Sequence, residues 1–212
     1  MRFDFTPPPG CVLVAVDSAP SRPDEMCLLR SNAVQKRKNE FALGRAAARR
    51  ALEELGICDS GPLLRGQYRE PLWPDGVVGS ITHCGPWAMA AAAKAENVRA
   101  LGIDVEDVSR IEDLEIATLV ANDTERRWIE GSRLRLAMLF SGKESIYKAL
   151  FPLARRFFDF LAVELTWVPE RSSFAGQLRL SLCAELSEGH PIEAGCQLRN
   201  NFVFTHTLLP SR

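Results

Sequence analysis

The stretch that most constrains this chain is Leu101-Gly102-Ile103-Asp104-Val105-Glu106-Asp107, an apolar strand-like run interrupted by acids. Side chains alternate along a strand, so Ile103 and Val105 take one face while Asp104 and Glu106 share the other. Two carboxylates on neighbouring positions of one face repel unless water or a cation lies between them. The fold must therefore bury one side of this strand and solvate or neutralise the opposite side. An exposed acidic face is the ordinary solution. A hard divalent cation is the sharper one, because Mg²⁺ takes one or two carboxylates together with phosphate oxygens and water.

The rest of the charge is unevenly placed. Net charge is only −1 over 212 residues, which gives no global field toward nucleic acid or a membrane surface. Yet Arg30 to Arg50 holds seven basic residues against the single acid Glu40, and Asp104 to Glu115 holds six acids against Arg110. One segment is prepared for anions and another for a cation. The six cysteines, at positions 11, 27, 58, 84, 183 and 196, form no C-x-x-C pair, a scatter expected of reduced thiols in a cytoplasmic protein. The opening MRFDFTPPPG lacks the apolar run of a signal peptide, and no stretch of about 18 apolar residues predicts a membrane span.

Patterning predicts a strand over Cys11–Asp17 and a helix over Glu40–Gly56 with Phe41, Ala48, Leu52 and Leu55 on one stripe. A turn-rich segment, Arg69–Gly76, leads into a strand over Val77–Thr82. The run WAMAAAAKAE from Trp87 is ambiguous: alanine favours helix, whereas its place between strand-like runs favours a paired strand. The polar break Ala95–Arg99 divides the chain into expected lobes 1–100 and 101–212. Asn122 with Glu125 has capping-box spacing, Leu134–Leu150 reads as the longest helix, and QLRLSL and NNFVFTHTL read as strands of a half-exposed sheet.

Three further clusters carry chemistry. In FSGKESIYKAL, Glu144 and Lys148 share a helix face four residues apart, with Phe140 a turn earlier. Gly142 in that helix costs about 1 kcal/mol relative to Ala, which implies close approach by another element. Leu139, Ile146 and Leu150 form a separate apolar stripe, leaving the Glu144 face for a cleft. In GSITHCG, Thr82, His83 and Gly85 end a strand in a way that suits an anion-binding turn. In FALGRAAARRAL, Arg45 and its neighbours offer the planar donor fork that suits phosphate. Each cluster alone has a plain structural explanation. Together they describe a site for Mg²⁺ and a multiply phosphorylated nucleotide.

The order and wording of RKNEFALGRAAARRAL, REPLWPDGVVGSITHCG, GIDVE and FSGKESIYKALFP resemble the 4′-phosphopantetheinyl transferases of the surfactin-synthetase type, nearest the enterobactin-synthetase component D branch. The resemblance implies an α+β pseudo-dimer of two similar α/β lobes with the active site in the cleft between them. It implies transfer of the phosphopantetheine arm of coenzyme A to a serine of an acyl or peptidyl carrier protein, with release of adenosine 3′,5′-bisphosphate. The pathway expected is secondary metabolism, siderophore synthesis included. The family's metal acids fall on Asp104, Glu106 and Glu144, and its coenzyme A contacts on Arg45, Arg69, Pro71, Thr82, His83, Asp104, Lys143 and Lys148. Catalytic roles fall on Lys148, near the pyrophosphate, and Glu144, the first choice of base ahead of a metal-bound water. Arg126, Arg127, Arg133 and Arg135 are candidates to meet an acidic carrier. A monomer is expected. The alternative of another class is a non-catalytic protein that binds coenzyme A or a carrier; its signature, a missing metal acid, is not seen.

Overall fold

The structure, a computed structural model, describes residues 4–20, 22–111 and 113–211. The chain separates into a unit comprising Met1–Leu101 with Pro210–Arg212 and a second unit, Gly102–Leu209. Among the described residues each unit is built on one sheet, with helices beside it, so the class is α+β.

The first unit opens with β1 (Val12–Val16) and a single-turn helix α1 (Pro23–Met26), followed by the long helix α2 (Gln35–Glu54). Strands β2 (Val77–Cys84) and β3 (Trp87–Lys94) complete a sheet of order β1-β3-β2. The alanine run is therefore a strand. It is the central one, paired with both neighbours in registers such as Val12↔Ala92 and Ser80↔Ala91. Tertiary pairing overrides helix propensity here, and the small side chains have a packing reason. Ala88, Ala90 and Ala92 join Ala47, Ala48, Ala51 and Leu52 of α2 in one core. The helix lies close to β2 as well: a β-carbon on Gly44 would sit 3.0 Å from Ile81 Cγ2.

Strand β4 (Val98–Asp107) carries the chain from one unit into the other. The second unit continues through α3 (Ala117–Val120), α4 (Asp123–Ile129) and α5 (Arg133–Ala154). Strands β5 (Val163–Val168), β6 (Ser173–Leu178), β7 (Pro191–Arg199) and β8 (Phe202–Pro210) follow, in a sheet of order β4-β8-β7-β6-β5. The capping box predicted for Asn122 and Glu125 is present, with each side chain bonded to the other's backbone N–H. QLRLSL is strand only to Leu178. Its last ladder pair sets Gln177 against Pro191, which has no N–H to extend the ladder, and Leu182 then donates to Leu186 O in a turn. Strands β5 and β7 escaped the pattern reading: the first is short, and the second holds Pro191 and Gly195, residues that read as turn. Gly195 is needed in the sheet because a β-carbon there would lie 2.3 Å from the His206 ring opposite.

Helix α5 lies on this sheet by its smallest residues. Ser141 and Thr205 share a hydroxyl hydrogen bond of 2.9 Å, and Ser145 and Thr207 one of 3.1 Å, all four residues fully buried. At β4 the approach is closer still. A β-carbon at Gly102 would be 1.8 Å from the Ser145 carbonyl oxygen and 2.6 Å from the Ala149 amide nitrogen. Both obstacles are backbone, so neither can swing aside. The Gly142 expected to mark close approach meets Phe174, 3.3 Å from where its β-carbon would stand. Leu136, Leu139, Ile146 and Leu150 fill the core against Leu165, Phe174 and Leu178.

Gly102→Ala is expected to destabilise the chain by about 1–3 kcal/mol, the usual range for forced overpacking, or to prevent folding. Gly142→Ala faces only a ring that can shift by a few tenths of an ångström and should cost less. Urea unfolding followed by circular dichroism ranks the two variants, and equal midpoints would refute the contact.

Candidate active site

The acids of the opening motif end up beside α5. Asp104, 4% exposed, accepts a hydrogen bond from Lys148 Nζ at 2.7 Å on Oδ1, and the same ammonium donates to Ile103 O at 3.2 Å. Lys148 reaches them because Gly102 lets the helix lie against the strand just before Asp104. Glu144 stands one helical turn before Lys148. Burial pushes the Glu106 carboxyl up to about 8, with the Asp104 and Glu144 charges adding to the shift and Lys148 and Arg110 opposing it. Glu144 is also raised, chiefly by burial; Lys148 opposes the shift and Asp104 adds a smaller push upward. The Asp104 charge thus bears on both glutamates, and Lys148 is in contact with Asp104.

This donor set suits a hard divalent cation in kind: carboxylate oxygens, one buried and two half-buried, with a surplus of negative charge. Lys148 stands in for part of that positive charge. Among the described residues no three His, Cys, Asp or Glu side chains converge closely enough to hold a metal as they stand, so a bound ion requires the acids and Lys148 to readjust.

Lys143, expected among the coenzyme A contacts, is enclosed within the second unit. It is 2% exposed, and its ammonium donates to Val120 O at 2.8 Å, Glu125 Oε2 at 2.7 Å and Phe160 O at 3.0 Å. Burial lowers its pKa while Glu125 pulls it back. All three donors are committed inside the second unit. Phe140 likewise serves packing, its ring 5.4 Å from that of Phe160. Beside Glu144 opens a cavity of about 230 Å³ lined by Tyr147, Phe157, Phe158, Phe160 and Val163 as well as by Glu144 and Lys143.

The first unit gathers the basic side chains. Arg45 is 5% exposed, with its guanidinium 4.6 Å over the Phe41 ring and Nη2 donating to Leu64 O at 3.4 Å. Its buried Nε has no hydrogen-bond partner. Burial pushes its pKa down to about 10; Glu25 opposes that, while Arg65, Arg37 and Arg49 add to it. Arg65 is lowered by burial and then by Arg69, Arg37 and Arg30. Arg69 stands at φ 74° in a turn closed by the Arg65↔Pro71 bridge, a left-handed backbone that is costly for arginine and fixes where it projects.

Thr82 and His83 are divided by the pleat of β2. Thr82 is buried on the face of Ser80 and Cys84, whereas His83 lies exposed on the face of Ile81, toward α2. Only the imidazole therefore projects from the helix-covered face. There it meets Glu40, with Nε2 4.0 Å from Oε2, and Glu40 also pairs with Arg37 at 3.5 Å and Lys36 at 3.9 Å. Glu40, Lys36, Lys38 and Gly85 border a second cavity of about 720 Å³. Glu40 was legible only as the lone acid of a basic run, and Glu125 only as a cap. Of the four arginines considered for a carrier, three are engaged locally. Arg126 bonds Asp123 and Ala121 O, Arg127 bonds Thr124, and Arg135 bonds Glu130 and lies over Trp128.

The second unit thus sets buried carboxylates beside a lysine, and the first unit gathers arginines and a histidine. Comparison with known proteins makes the class specific. The family model described as 4′-phosphopantetheinyl transferase N-terminal domain matches residues 23–93, and that described as 4′-phosphopantetheinyl transferase superfamily matches residues 100–198. The 4′-phosphopantetheinyl transferase PptT of Mycobacterium tuberculosis is 35% identical over 175 residues, covering 80% of this chain and 76% of that protein. Svp, the 4′-phosphopantetheinyl transferase of Streptomyces mobaraensis, is 42% identical over 154 residues, 70% of this chain and 62% of the relative. Enterobactin synthase component D of Salmonella typhimurium is 40% identical over 123 residues, covering 56% of this chain and 50% of that protein. The chain belongs to the 4′-phosphopantetheinyl transferase family. No helix among the described residues is long and apolar enough to cross a membrane.

Lys148→Met removes the ammonium from an acid cluster that repels itself. In EDTA it is expected to lose about 1–3 kcal/mol of stability, less than a fully buried pair would lose because Lys148 is 26% exposed. Adding Mg²⁺ should return much of the loss and raise the melting temperature of the variant more than that of the wild type. Thermal melts with and without the ion test this, and an ion-independent loss would remove the acids from any cation site.

Proposed function

We propose that this chain transfers the 4′-phosphopantetheine arm of coenzyme A to a serine of an acyl or peptidyl carrier protein. The observation that carries the reading is the assembly of Asp104, Glu106, Glu144 and Lys148 on β4 and α5, in a chain whose family performs that transfer. Within the proposal, residues 1–100 supply coenzyme A phosphate and adenine contacts and residues 101–212 supply the acids. The two form a pseudo-dimer with the coenzyme in a cleft, a finer picture that rests on the resemblance. Asp104, Glu106 and Glu144 would hold Mg²⁺, which supplies charge neutralisation at the pyrophosphate.

The chain's own residues have definable tasks. His83 and the arginines about Arg45 offer donors to the 3′-phosphate, and Arg69 and Pro71 border the adenine. Lys148, already directed at Asp104, provides a fixed positive charge for the pyrophosphate. The serine oxygen bonds to the phosphorus that carries the pantetheine arm as the bond to the bridging oxygen breaks. That oxygen departs on adenosine 3′,5′-bisphosphate, and the serine proton passes to Glu144. Three of the four arginines once set against an acidic carrier are tied up locally, so Arg133, exposed at the start of α5, is the member of that set best placed to meet one.

Intact mass of an apo peptidyl carrier protein, after incubation with the chain, coenzyme A and Mg²⁺, tests the reading. A gain of one phosphopantetheine that EDTA prevents is expected. Unchanged carriers alongside retained coenzyme A would leave the non-catalytic binder. Asp104→Asn and Glu144→Gln should each abolish the gain while remaining folded, and wild-type loading by either would remove that residue from the site. His83→Ala should weaken coenzyme A but leave 3′-dephospho-coenzyme A untouched. An equal loss on both would take the imidazole off the 3′-phosphate.

A further inference from the structure

The second unit holds a buried ion pair that the transfer reaction does not use. Glu125 and Lys143 side chains are 0% and 1% exposed, and their charged atoms are 2.7 Å apart. Both partners are saturated. Glu125 Oε1 accepts from Leu165 N–H at 2.8 Å, and Oε2 accepts from Asn122 N–H at 2.8 Å as well as from Lys143. Lys143 donates further to Val120 O and Phe160 O. One pair thereby ties the end of α3, the start of α4, α5, the turn at Phe160 and β5, an edge strand of the five-stranded sheet.

Apolar side chains of similar volume would hold these elements together as well or better, because the desolvation of two buried charges offsets most of their attraction. What such a pair adds is register: each donor and acceptor has one partner at one distance. Its position is what matters here. Lys143 adjoins Glu144 in α5, so whatever fixes the rotation of the helix at Lys143 fixes the direction of the Glu144 carboxylate. Phe160, held through its carbonyl, lines the 230 Å³ cavity whose other wall includes Glu144 and Tyr147. The strut therefore sets both the acid and the wall that faces it.

We infer that Lys143, through its pair with Glu125, is a positioning residue that holds Glu144 and the facing aromatic wall in reacting geometry and makes no contact with coenzyme A. The inference rests on the transferase reading above and adds the role of a residue to it. Misplacing a reacting group by about 1 Å can cost on the order of a hundredfold in rate, and removing groups that orient metal ligands typically costs about 10- to 100-fold.

The test compares wild type with Lys143→Met, Glu125→Gln and the double variant Glu125→Gln/Lys143→Met. Melting temperature, coenzyme A affinity by calorimetry without carrier, and kcat and KM from carrier loading are measured for each. Single variants strand a buried charge or weaken its partner and should melt lower; the double, with neither charge left, should recover part of the loss. The expected result is a kcat reduced about 10- to 100-fold in all three, the double included, with coenzyme A affinity within about threefold of wild type. Recovery of kcat along with melting temperature in the double would reduce the pair to a stabilising role and overturn the inference. So would a weakened coenzyme A affinity with unchanged kcat, which would return Lys143 to the ligand. Glu125→Gln, nearly isosteric, carries the comparison if Lys143→Met does not fold. A wild-type chain that loads no carrier would instead overturn the transferase reading itself.

Discussion

The contact on which the second unit depends is the approach of α5 to β4 at Gly102. A strand and a helix ordinarily keep apart by the thickness of their side chains. Here the helix backbone at Ser145 and Ala149 occupies the place of a side chain at position 102. That closeness brings a lysine of the helix within 2.7 Å of a strand aspartate two residues further along, at Asp104. It also forces the rest of the interface to be small. Ser141, Ser145 and Ala149 face the sheet, and the hydroxyls that such small residues bring must be satisfied, which Thr205 and Thr207 do. The polar ladder inside this core follows from the glycine.

Electrostatics then divides the chain's charges into two kinds. Glu125 with Lys143, and Glu25 with Arg49, are acid–base pairs buried and hydrogen-bonded to nearby backbone. They are complete within the protein. Asp104, Glu106 and Glu144 carry more negative charge than Lys148 answers, and Arg45, Arg65 and Arg69 gather positive charge; beyond the effect of burial, like charges add to the upward shift of Glu106 and Glu144 and to the downward shift of Arg45 and Arg65. A chain tolerates such imbalance where a ligand of opposite charge completes it. The two imbalances have opposite sign.

Much of this was legible in the sequence. The alternation of LGIDVED marks a strand with an acidic face, the capping box marks the start of α4, and the periodicity from Leu134 marks α5. The Gly142 anomaly rightly signalled a close neighbour, found in Phe174. Other features were out of reach for stated reasons. The alanine strand β3 has helical composition, and only the strands on either side decide its state. Lys143 and Lys148 are both lysines of one motif, five residues apart, yet the helix turns them to different surroundings: one is enclosed by Glu125 and two carbonyls, the other reaches Asp104. Thr82 and His83 look like a pair in sequence and are separated by the pleat.

By itself the sequence determined the local elements with strong period or caps, the residue types available for chemistry and, through four motifs in order, the family. Those properties are encoded within a few residues of one another or in the motif text, so they need no knowledge of distant contacts. Tertiary structure alone decided which acid meets which base, which lysine is sealed in and which stays near the acids, and which of two adjacent side chains on β2 projects toward the helix. These depend on residues between 18 and 64 positions apart, such as Lys143 with Glu125, Lys148 with Asp104 and Ser141 with Thr205. Burial, which raises the cost of every unpaired charge, comes into being only when those distant segments pack.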